Sequence, residues 1–484
     1  MSDDAAAGCV GAGMRFRYAA LAGELLSAIE KGIYRPGDRL PGVRRLAMTH
    51  SVSVSTAIAA VRRLEDDGVV QARPRSGFYV RSNVNRWLDV PAVSRPDIRP
   101  TAVTGQDLVL RLVQATNDPG IVQLGAAVPD PAFLPTRAIE RAMARAARQH
   151  RLRAATYEFP PGAPELRLQI ARRLAQRGCD DSPDEIVITS GAQEALTLAL
   201  KAVTAPGDVV AVESPTFYGL LQVIESLGLK ALEIPTDPGT GIELAALRLA
   251  IERWPVAACV SVPSFSNPLG SCMPDDRRRA LVELLARHGI PLVEDDVYGE
   301  LGFDGPSPRS LRAWAGQGEV IHCGSFSKTL SPGLRLGWIA AGKRLFEQVE
   351  YLKYVESLAA PTLPQLAVAD YLAHGGYDRY LSGVRQEYAR AVARMREAVA
   401  RFFPRGTRVS RPGGGFVLWL ELPDHIDTLK LANRALAAGI SIAPGPAFSA
   451  NGKYQNCLRL SCATPWGERL ERSLRVLASL IDTP

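Results

Sequence analysis

Lys328 has an unusual setting for a lysine. It lies in the run Gly-Ser-Phe-Ser-Lys-Thr-Leu-Ser-Pro-Gly-Leu-Arg, residues 324–335, so small and apolar residues surround it. A lysine amine attacks a carbonyl carbon only when neutral, and partial burial near another cation such as Arg335 lowers its pKa toward that state. Ser325 and Ser327 supply hydroxyls and Arg335 a forked guanidinium, a set suited to a phosphate. The segment therefore predicts a Schiff-base lysine for pyridoxal 5′-phosphate.

Suitable partners for such a cofactor follow two apolar runs that predict buried parallel strands. Residues 289–293 lead into Asp295 and Tyr298, and residues 257–263 lead into Asn267. Because α/β folds build their sites beyond the carboxyl ends of parallel strands, these side chains are expected to lie close together. Asp295 could pair with a protonated pyridine nitrogen. Tyr298 and Asn267 could hydrogen-bond the ring's phenolate oxygen, although an Asn-Pro dipeptide alone also indicates an ordinary turn.

A third apolar run, residues 186–190, is followed by Gly191, Ala192 and Gln193 and then by helix-forming residues. This pattern predicts a strand, a glycine turn and the start of a helix. The free N–H groups at a helix N-terminus form a ready site for an anion. In the same chain as Lys328, the turn is expected to bind the cofactor's phosphate.

From about residue 121 to its end, the chain resembles the fold-type I, aspartate-aminotransferase-like pyridoxal phosphate enzymes. The resemblance implies an α/β fold with a mostly parallel central sheet, flanking helices and a smaller C-terminal lobe. It also implies that Lys328 forms the internal aldimine and carries protons, with Asp295 and Tyr298 as the other catalytic residues. The full set expected to bind pyridoxal 5′-phosphate is Tyr157, Gly191, Ala192, Gln193, Phe217, Asn267, Asp295, Tyr298, Ser325, Ser327, Lys328 and Arg335.

The resemblance assigns further roles. Phe217 is expected to stack on the cofactor ring, with Tyr218 as the open alternative, because a π-face is all that stacking requires. Arg459, within Asn-Cys-Leu-Arg-Leu-Ser, matches the arginine that binds a substrate α-carboxylate, assisted by Asn267. Tyr157 is similar to the tyrosine that reaches the phosphate of a neighbouring subunit. A homodimer with shared sites is therefore implied.

The N-terminal residues show a different pattern. Apolar residues at helical spacing predict a helix over residues 18–31, and two further helices are predicted over 43–48 and 57–64, the last preceded by capping serines. Residues 69–72 and 78–80 read as two strands joined by a wing. Together these elements predict a winged helix-turn-helix unit.

The same region resembles the GntR type of bacterial regulator. The shared motifs are Pro-Gly-Asp-Arg-Leu-Pro at 36–41, Arg-Arg-Leu-Ala at 44–47 and Arg-Pro-Arg-Ser-Gly at 73–77. Residues 14–82 hold 12 Lys and Arg against 6 Asp and Glu, so 12 − 6 = +6 of the chain's +7, which favours binding to DNA phosphates. The DNA-binding candidates are Arg44, Ser53, Ser55, Thr56, Arg62, Arg73, Arg75, Ser76 and Gly77.

The predicted recognition helix departs from this type of regulator at Val54, where a basic residue is common. Ala59 is likewise uncharged. Direct guanine readout by this helix is therefore not expected. Specificity is predicted to depend more on Arg44, Arg62 and the wing.

A winged helix joined to an aminotransferase-like domain is the plan of MocR-type regulators. The predicted domains are a flexible N-terminus (1–17), the winged helix-turn-helix (18–82), a linker (83–118) and the pyridoxal phosphate domain (119–484), whose small lobe is completed by about 350–484. The predicted function is a cytoplasmic transcriptional regulator that binds operator DNA and senses an amine, an amino acid or pyridoxal phosphate through an aldimine at Lys328. The alternative is an active aminotransferase that carries a DNA-binding head.

Composition excludes several other classes. The chain has 46% hydrophobic and 22% charged residues, as in ordinary globular proteins, and it lacks an apolar stretch of the ~20 residues that a membrane span needs. Its start has neither the basic region nor the apolar core of a secretory signal. Seven scattered cysteines without a Cys-x-x-Cys pair predict reduced thiols, and no metal site is predicted.

Overall fold

The computed structural model describes residues 18, 20–29, 33–35, 37–66, 69–73, 76–80, 88–103, 114 and 118–482. Residues 1–17, half of the predicted linker and the wing residue Arg75 lie outside the described residues. The chain divides into two compact units, residues 1–88 and 89–484.

The N-terminal unit is a winged helix, which confirms that part of the predicted fold. Its elements are α1 (residues 20–29), α2 (Val43–Thr49), α3 (Val54–Asp66), β1 (Val70–Arg73) and β2 (Gly77–Val80). The strands pair antiparallel, with Val70 opposite Val80. Leu21, Leu25 and Ile29 are all buried in the unit's core, because their spacing places them on one face of α1.

Ser53 caps the start of α3. Its hydroxyl accepts a hydrogen bond from the Thr56 amide at 3.1 Å, which satisfies one of the donors that every helix N-terminus leaves open. The side chain of Thr56 is buried, and its hydroxyl lies 2.7 Å from that of Ser53. Thr56 therefore supports the helix start from inside the unit.

Replacing Ser53 by alanine is expected to destabilise α3 by about 1 kcal/mol, because the cap is lost. Hydrogen exchange of the α3 amides in the full chain measures this change. Ser55→Ala is the matched control, since its exposed hydroxyl bonds only with Ser53 among the contacts of the described residues. Equal exchange rates in the two variants would contradict the capping role.

A central sheet dominates the large unit. Its strands are β3 (Thr101–Ala102), β5 (Ile186–Thr189), β6 (Val209–Ser214), β7 (Lys230–Asp237), β8 (Gly241–Ile242), β9 (Val256–Ser261), β10 (Leu292–Asp295), β11 (Val320–Ser325) and β12 (Gly337–Ala340), with a short β4 (Val122–Gln123) outside it. The strand order is β3-β7-β6-β9-β10-β11-β12-β5, and β8 pairs with β7. Five neighbouring strands in this order are mutually parallel, namely β7, β6, β9, β10 and β11, whereas β12 is antiparallel to both of its neighbours.

Helices cover this sheet on both faces, so its strands are buried along their length, as near-continuous apolar sequence predicts. The helices of the large unit are α4 (Thr136–Gln149), α5 (Pro164–Ala175), α6 (Ala192–Val203), α7 (Tyr218–Ser226), α8 (Leu244–Arg253), α9 (Asp275–Arg287), α10 (Lys343–Ser357), α11 (Thr362–Ala373), α12 (Gly376–Phe402), α13 (Thr428–Ala437) and α14 (Glu468–Asp482). The predicted α/β fold is confirmed.

A smaller antiparallel sheet forms near the C-terminus. Its strands are β13 (Arg408–Val409), β14 (Val417–Glu421), β16 (Ala443–Pro444) and β17 (Cys457–Ser461), in the order β13-β14-β17-β16. A separate strand, β15 (Ile440–Ser441), pairs parallel with β4. None of the helices in the described part of the chain combines the length and apolarity needed to cross a membrane.

Residues 89–103 lie on the large unit. The Asp89 carbonyl accepts a hydrogen bond from the Val409 amide at 2.8 Å, and the Ser94 hydroxyl accepts one from the Thr236 amide at 2.8 Å. β3 adds an antiparallel edge strand beside β7. This part of the stretch predicted as a linker is therefore anchored to the large sheet.

Candidate functional site

The adjacent parallel strands β9, β10 and β11 bring the predicted site residues to one edge of the sheet. Val293 of β10 lies opposite Val260 of β9 and Ile321 of β11, so the carboxyl ends of all three strands meet. Asp295 is the last residue of β10. The loop with Asn267 follows β9, and the loop with Lys328 follows β11.

Lys328 is half-buried at this edge, and its amine donates a hydrogen bond to the Ala127 carbonyl at 2.8 Å. Burial lowers the pKa of Lys328 to about 8. The nearby guanidinium groups of Arg459 and Arg335 contribute to this lowering, and the carboxylate of Asp295 opposes it. A substantial neutral fraction near physiological pH makes the amine an able nucleophile for a carbonyl carbon.

The capture of pyridoxal 5′-phosphate by the apoprotein is expected to accelerate with pH, because only the neutral Lys328 amine attacks the aldehyde. The rate should rise about tenfold per pH unit well below pH 8 and level off above it. Stopped-flow absorbance at several pH values measures this profile. A free lysine derivative, run in parallel, corrects for ionisation of the aldehyde itself. A midpoint near 10.5, the ordinary lysine value, would contradict the perturbed amine.

Asp295 and Tyr298 are buried with polar atoms left open. Oδ1 of Asp295 and the hydroxyl of Tyr298 have no hydrogen-bond partner among the described residues. Burial raises the pKa of Asp295 to about 6, and burial also raises the pKa of Tyr298. Buried polar groups in folded proteins are nearly always paired, so two open ones side by side indicate that a ligand completes the site.

The open groups fit the polar atoms of pyridoxal 5′-phosphate. A carboxylate suits its pyridine nitrogen, a phenol suits its phenolate oxygen, and the Lys328 amine suits its aldehyde. The same set does not suit a metal, and in the described part of the chain no three His, Cys, Asp or Glu side chains are grouped to hold one.

Arg459 is fully buried in β17 and is held in place from two sides. Its guanidinium donates to the Gly125 carbonyl and, at 3.1 Å, to Oδ1 of Asn267. Because that contact uses the amide oxygen of Asn267, its NH₂ group remains available to donate to a cofactor oxygen. Nε of Arg459 has no partner among the described residues. A buried cation with an open donor is suited to a carboxylate.

The predicted phosphate turn has the expected geometry. Gly191 has φ +98, a conformation that L side chains rarely adopt, and a Cβ there would lie 2.8 Å from the Arg335 guanidinium. Arg335 donates to the Ser190 carbonyl, so the cation lies at the start of α6. Ala192 begins this helix, and the side-chain amide Nε2 of Gln193 donates to the Gly219 carbonyl at 2.7 Å.

The two serines of the lysine loop differ in what they contact. The Ser325 hydroxyl lies 2.9 Å from both the Leu336 carbonyl and the Ser327 hydroxyl, so it stabilises the loop itself. A hydroxyl has one proton and the Leu336 carbonyl can only accept, so the Ser325 proton is shared between that carbonyl and Ser327. Their assignment to the phosphate stays a prediction.

The aromatic candidates are placed but not distinguished. The rings of Phe217 and Tyr218 are 4.8 Å apart, both half-buried. The Arg459 guanidinium lies 5.9 Å from the ring centre of Tyr218, whereas Phe217 packs over Gly219. Tyr157 is 66% exposed, as a residue that acts on a second subunit would be. Which ring stacks on a cofactor stays open.

Sequence reasoning missed Lys353 and Glu194. Lys353 of α10 is 1% exposed, and its amine donates to both carboxylate oxygens of Glu194, at 2.9 and 3.1 Å. Glu194 in turn accepts from the Ser190 amide, in the phosphate turn. The position of Glu194, three residues after Gly191, was a local feature of the sequence that could have identified this residue. Lys353 gave none, because a lysine on an amphipathic helix is ordinarily solvated.

In the N-terminal unit, the basic candidates Arg44, Arg62 and Arg73 are all exposed. The Arg73 guanidinium lies 4.3 Å from the ring centre of Tyr79, whose hydroxyl is 2.6 Å from that of Ser76. Gly77 has φ +103 and closes the wing. Arg39, which sequence reasoning did not single out, packs directly against Gly77. Contact of these residues with DNA stays a prediction.

Comparison with known proteins gives two family matches. Residues 121–477 match the family described as aminotransferase class I and II, and residues 17–80 match the bacterial regulatory proteins of the gntR family.

Individual relatives agree with both matches. An uncharacterized HTH-type transcriptional regulator of Escherichia coli, YjiR, is 41% identical over 96% of this chain and 98% of its own. A second one, YdcR, is 40% identical over 96% of this chain and 99% of its own. The crystal structure of an alpha-aminoadipate aminotransferase from Thermus thermophilus, complexed with N-(5′-phosphopyridoxyl)-L-leucine, is similar with a TM-score of 0.72 and 32% identity. That similarity covers 78% of this chain and 94% of the enzyme.

Proposed function

The chain belongs to the MocR-type regulators of the GntR family, in which a winged helix precedes an aminotransferase class I and II domain, and from this premise we propose that it controls transcription in response to pyridoxal 5′-phosphate and an amine. The observation that carries the proposal is the presence in one chain of a basic winged helix and an assembled amine site. Operator binding makes the cytoplasm its place of action.

Lys328 would hold the cofactor through its amine, and the open Oδ1 of Asp295 would pair with the ring nitrogen. When bound, pyridoxal 5′-phosphate serves as an electron sink for chemistry at the α-carbon of an amine. Tyr298 and the Asn267 amide would orient the ring through its phenolate oxygen. The turn at Gly191, with Arg335 and Ser327, would hold the phosphate.

The amine effector is expected to carry a carboxylate, which makes an amino acid the best candidate. Arg459 supports this inference, because a fully buried guanidinium with an unpaired Nε needs a planar anion to complete its hydrogen bonds. An amine that binds would take the place of the Lys328 amine and free it to move a proton. Binding can shift the regulator between two arrangements only if the amine has different affinities for them.

We also propose a homodimer. An exposed apolar surface supports it, formed by Leu152, Tyr157, Phe159, Tyr354 and Val355, each more than half exposed. The rings of Tyr157 and Phe159 lie 5.6 Å apart, and Phe159 lies 6.3 Å from Tyr354. Contiguous exposed rings are unusual on a monomer and typical of a subunit contact. A second copy would therefore cover Tyr157 and bring it to the partner's phosphate.

The experiment that tests the regulator combines absorbance and DNA binding. The holoprotein is titrated with the common amino acids while its visible cofactor band is followed, and DNA binding is measured with and without the amino acid that changes the band. We expect a spectral change that ends at one equivalent and a matching change in DNA affinity. A holoprotein that binds no DNA at low salt, with or without amino acids, would refute the proposal.

A second candidate function is transamination, because Lys328 and Asp295 lie at one sheet edge and Arg459 of β17 contacts Asn267 there. A proton carrier beside the cofactor and a carboxylate-binding arginine are what the reaction requires of the protein. Adding 2-oxoglutarate or pyruvate to the titration separates the two candidates. Continuous keto-acid turnover at ~1 per second or faster would make catalysis a main function, with the winged helix serving its regulation.

A further inference from the structure

One face of helix α3 carries two exposed apolar residues. Val54, Ile58 and Arg62 are spaced four residues apart, so they form a single stripe along the helix. Val54 is 46% exposed and Ile58 is 37% exposed, and Arg62 at the end of the stripe is exposed as well. The side of the helix that carries Ala57, Val61 and others is buried. The stripe is therefore part of the solvent-exposed side of this helix, which also carries Ser55 and Arg63.

The hydroxyls at the start of α3 do not convert this face into a polar one. The Ser53 hydroxyl lies 2.8 Å from that of Ser55 and 2.7 Å from that of Thr56, and it also caps the helix. These hydroxyls bond with one another, and Thr56 is buried, whereas Ser53 and Ser55 are exposed. The N-terminal half of α3 thus offers apolar groups, Val54 and Ile58, to whatever lies against it.

We infer that Val54 and Ile58 contact the C5-methyl groups of thymines in the major groove, an inference that rests on the proposed DNA-binding function. The N-terminal residues of the second helix in a helix-turn-helix approach base edges. A thymine methyl is the only apolar group that base edges present in the major groove. The exposed Arg62 on the same helix and the exposed Arg44 on α2 favour DNA over an apolar protein partner, because cationic side chains match the phosphates of DNA. The operator therefore has A·T pairs under this face.

The test removes the methyl groups without changing base pairing. The full-length holoprotein selects binding sites from a random duplex library, and the enriched duplex is then synthesised with deoxyuridine in place of each thymidine in turn. Fluorescence anisotropy measures both affinities. Burial of one methyl group corresponds to an affinity about fourfold higher, so we expect Kd to rise about fourfold at each contacted position.

The double variant Val54→Ala, Ile58→Ala shows whether the effect passes through these side chains. Both residues are exposed and alanine favours helices, so the unit is expected to fold. In this variant the Kd for the deoxyuridine duplex divided by the Kd for the thymidine duplex should fall to about 1. Arg62→Ala is the control, because loss of a charge should weaken binding to both duplexes by the same factor.

Three results would overturn the inference. An enriched site whose wild-type Kd is the same with thymidine and deoxyuridine shows that no methyl group is contacted. An effect that persists undiminished in the double variant shows that the methyl groups act through DNA shape. A holoprotein without any DNA binding refutes the proposed function itself, and this inference with it.

Discussion

Lys328→Ala protein is expected to give no visible band that borohydride can fix, and to retain no covalently bound cofactor on peptide mass spectrometry. The reason is that the proposed site would hold pyridoxal 5′-phosphate through an amine, and at this sheet edge Lys328 would supply the amine with a pKa of about 8. Any conversion of amino acids should fall by about 10²–10⁴, because the group that moves the proton is lost.

Lys201→Ala is the matched control for this experiment. Lys201 forms an ion pair with Glu356 on the surface of the same unit, so its loss should leave the band and the labelled peptide unchanged. A band of undiminished intensity in Lys328→Ala would place the covalent attachment on another residue and contradict the assignment. The Lys328→Ala protein is also expected to bind pyridoxal 5′-phosphate reversibly, because Asp295, Tyr298 and the phosphate turn remain.

Lys353→Ala is expected to lower the free energy of unfolding of the large unit by about 3–5 kcal/mol, because it leaves the Glu194 carboxylate largely buried without its cation. The apoprotein is unfolded in denaturant, so that cofactor binding does not add to the measured stability. Tryptophan fluorescence reports the transition, since Trp338 and Trp419 are buried in this unit.

A second readout connects this pair with the cofactor site. Because Glu194 accepts from the Ser190 amide, loss of Lys353 should also loosen the phosphate turn and weaken pyridoxal 5′-phosphate binding. The double variant Glu194→Gln, Lys353→Met removes both charges at similar volume and should recover much of the lost stability. A loss below about 1 kcal/mol in Lys353→Ala would identify the pair as no stronger than an exposed ion pair.

Residue types and local spacing determined much of this protein. The apolar runs before Asn267, Asp295 and Gly191 predicted three buried strands, and parallel strands necessarily present their carboxyl ends at one edge. The glycine turn at Gly191 was predictable because a left-handed turn before a helix is a local property. In the N-terminal unit, helical spacing predicted the core of α1 for the same reason.

Only the tertiary structure decided which groups are satisfied and which are left open. Thr56 and Ser55 have the same hydroxyl and stand side by side, yet one is buried and the other is exposed, because burial depends on how α3 packs. Lys353 pairs with Glu194 across 159 residues of chain, and no local pattern encodes such a contact. The open Oδ1 of Asp295 is likewise a property of its surroundings. Sequence patterns predict helices and strands because these depend on interactions between residues close in the chain. Desolvation and pairing depend instead on residues that only folding brings together.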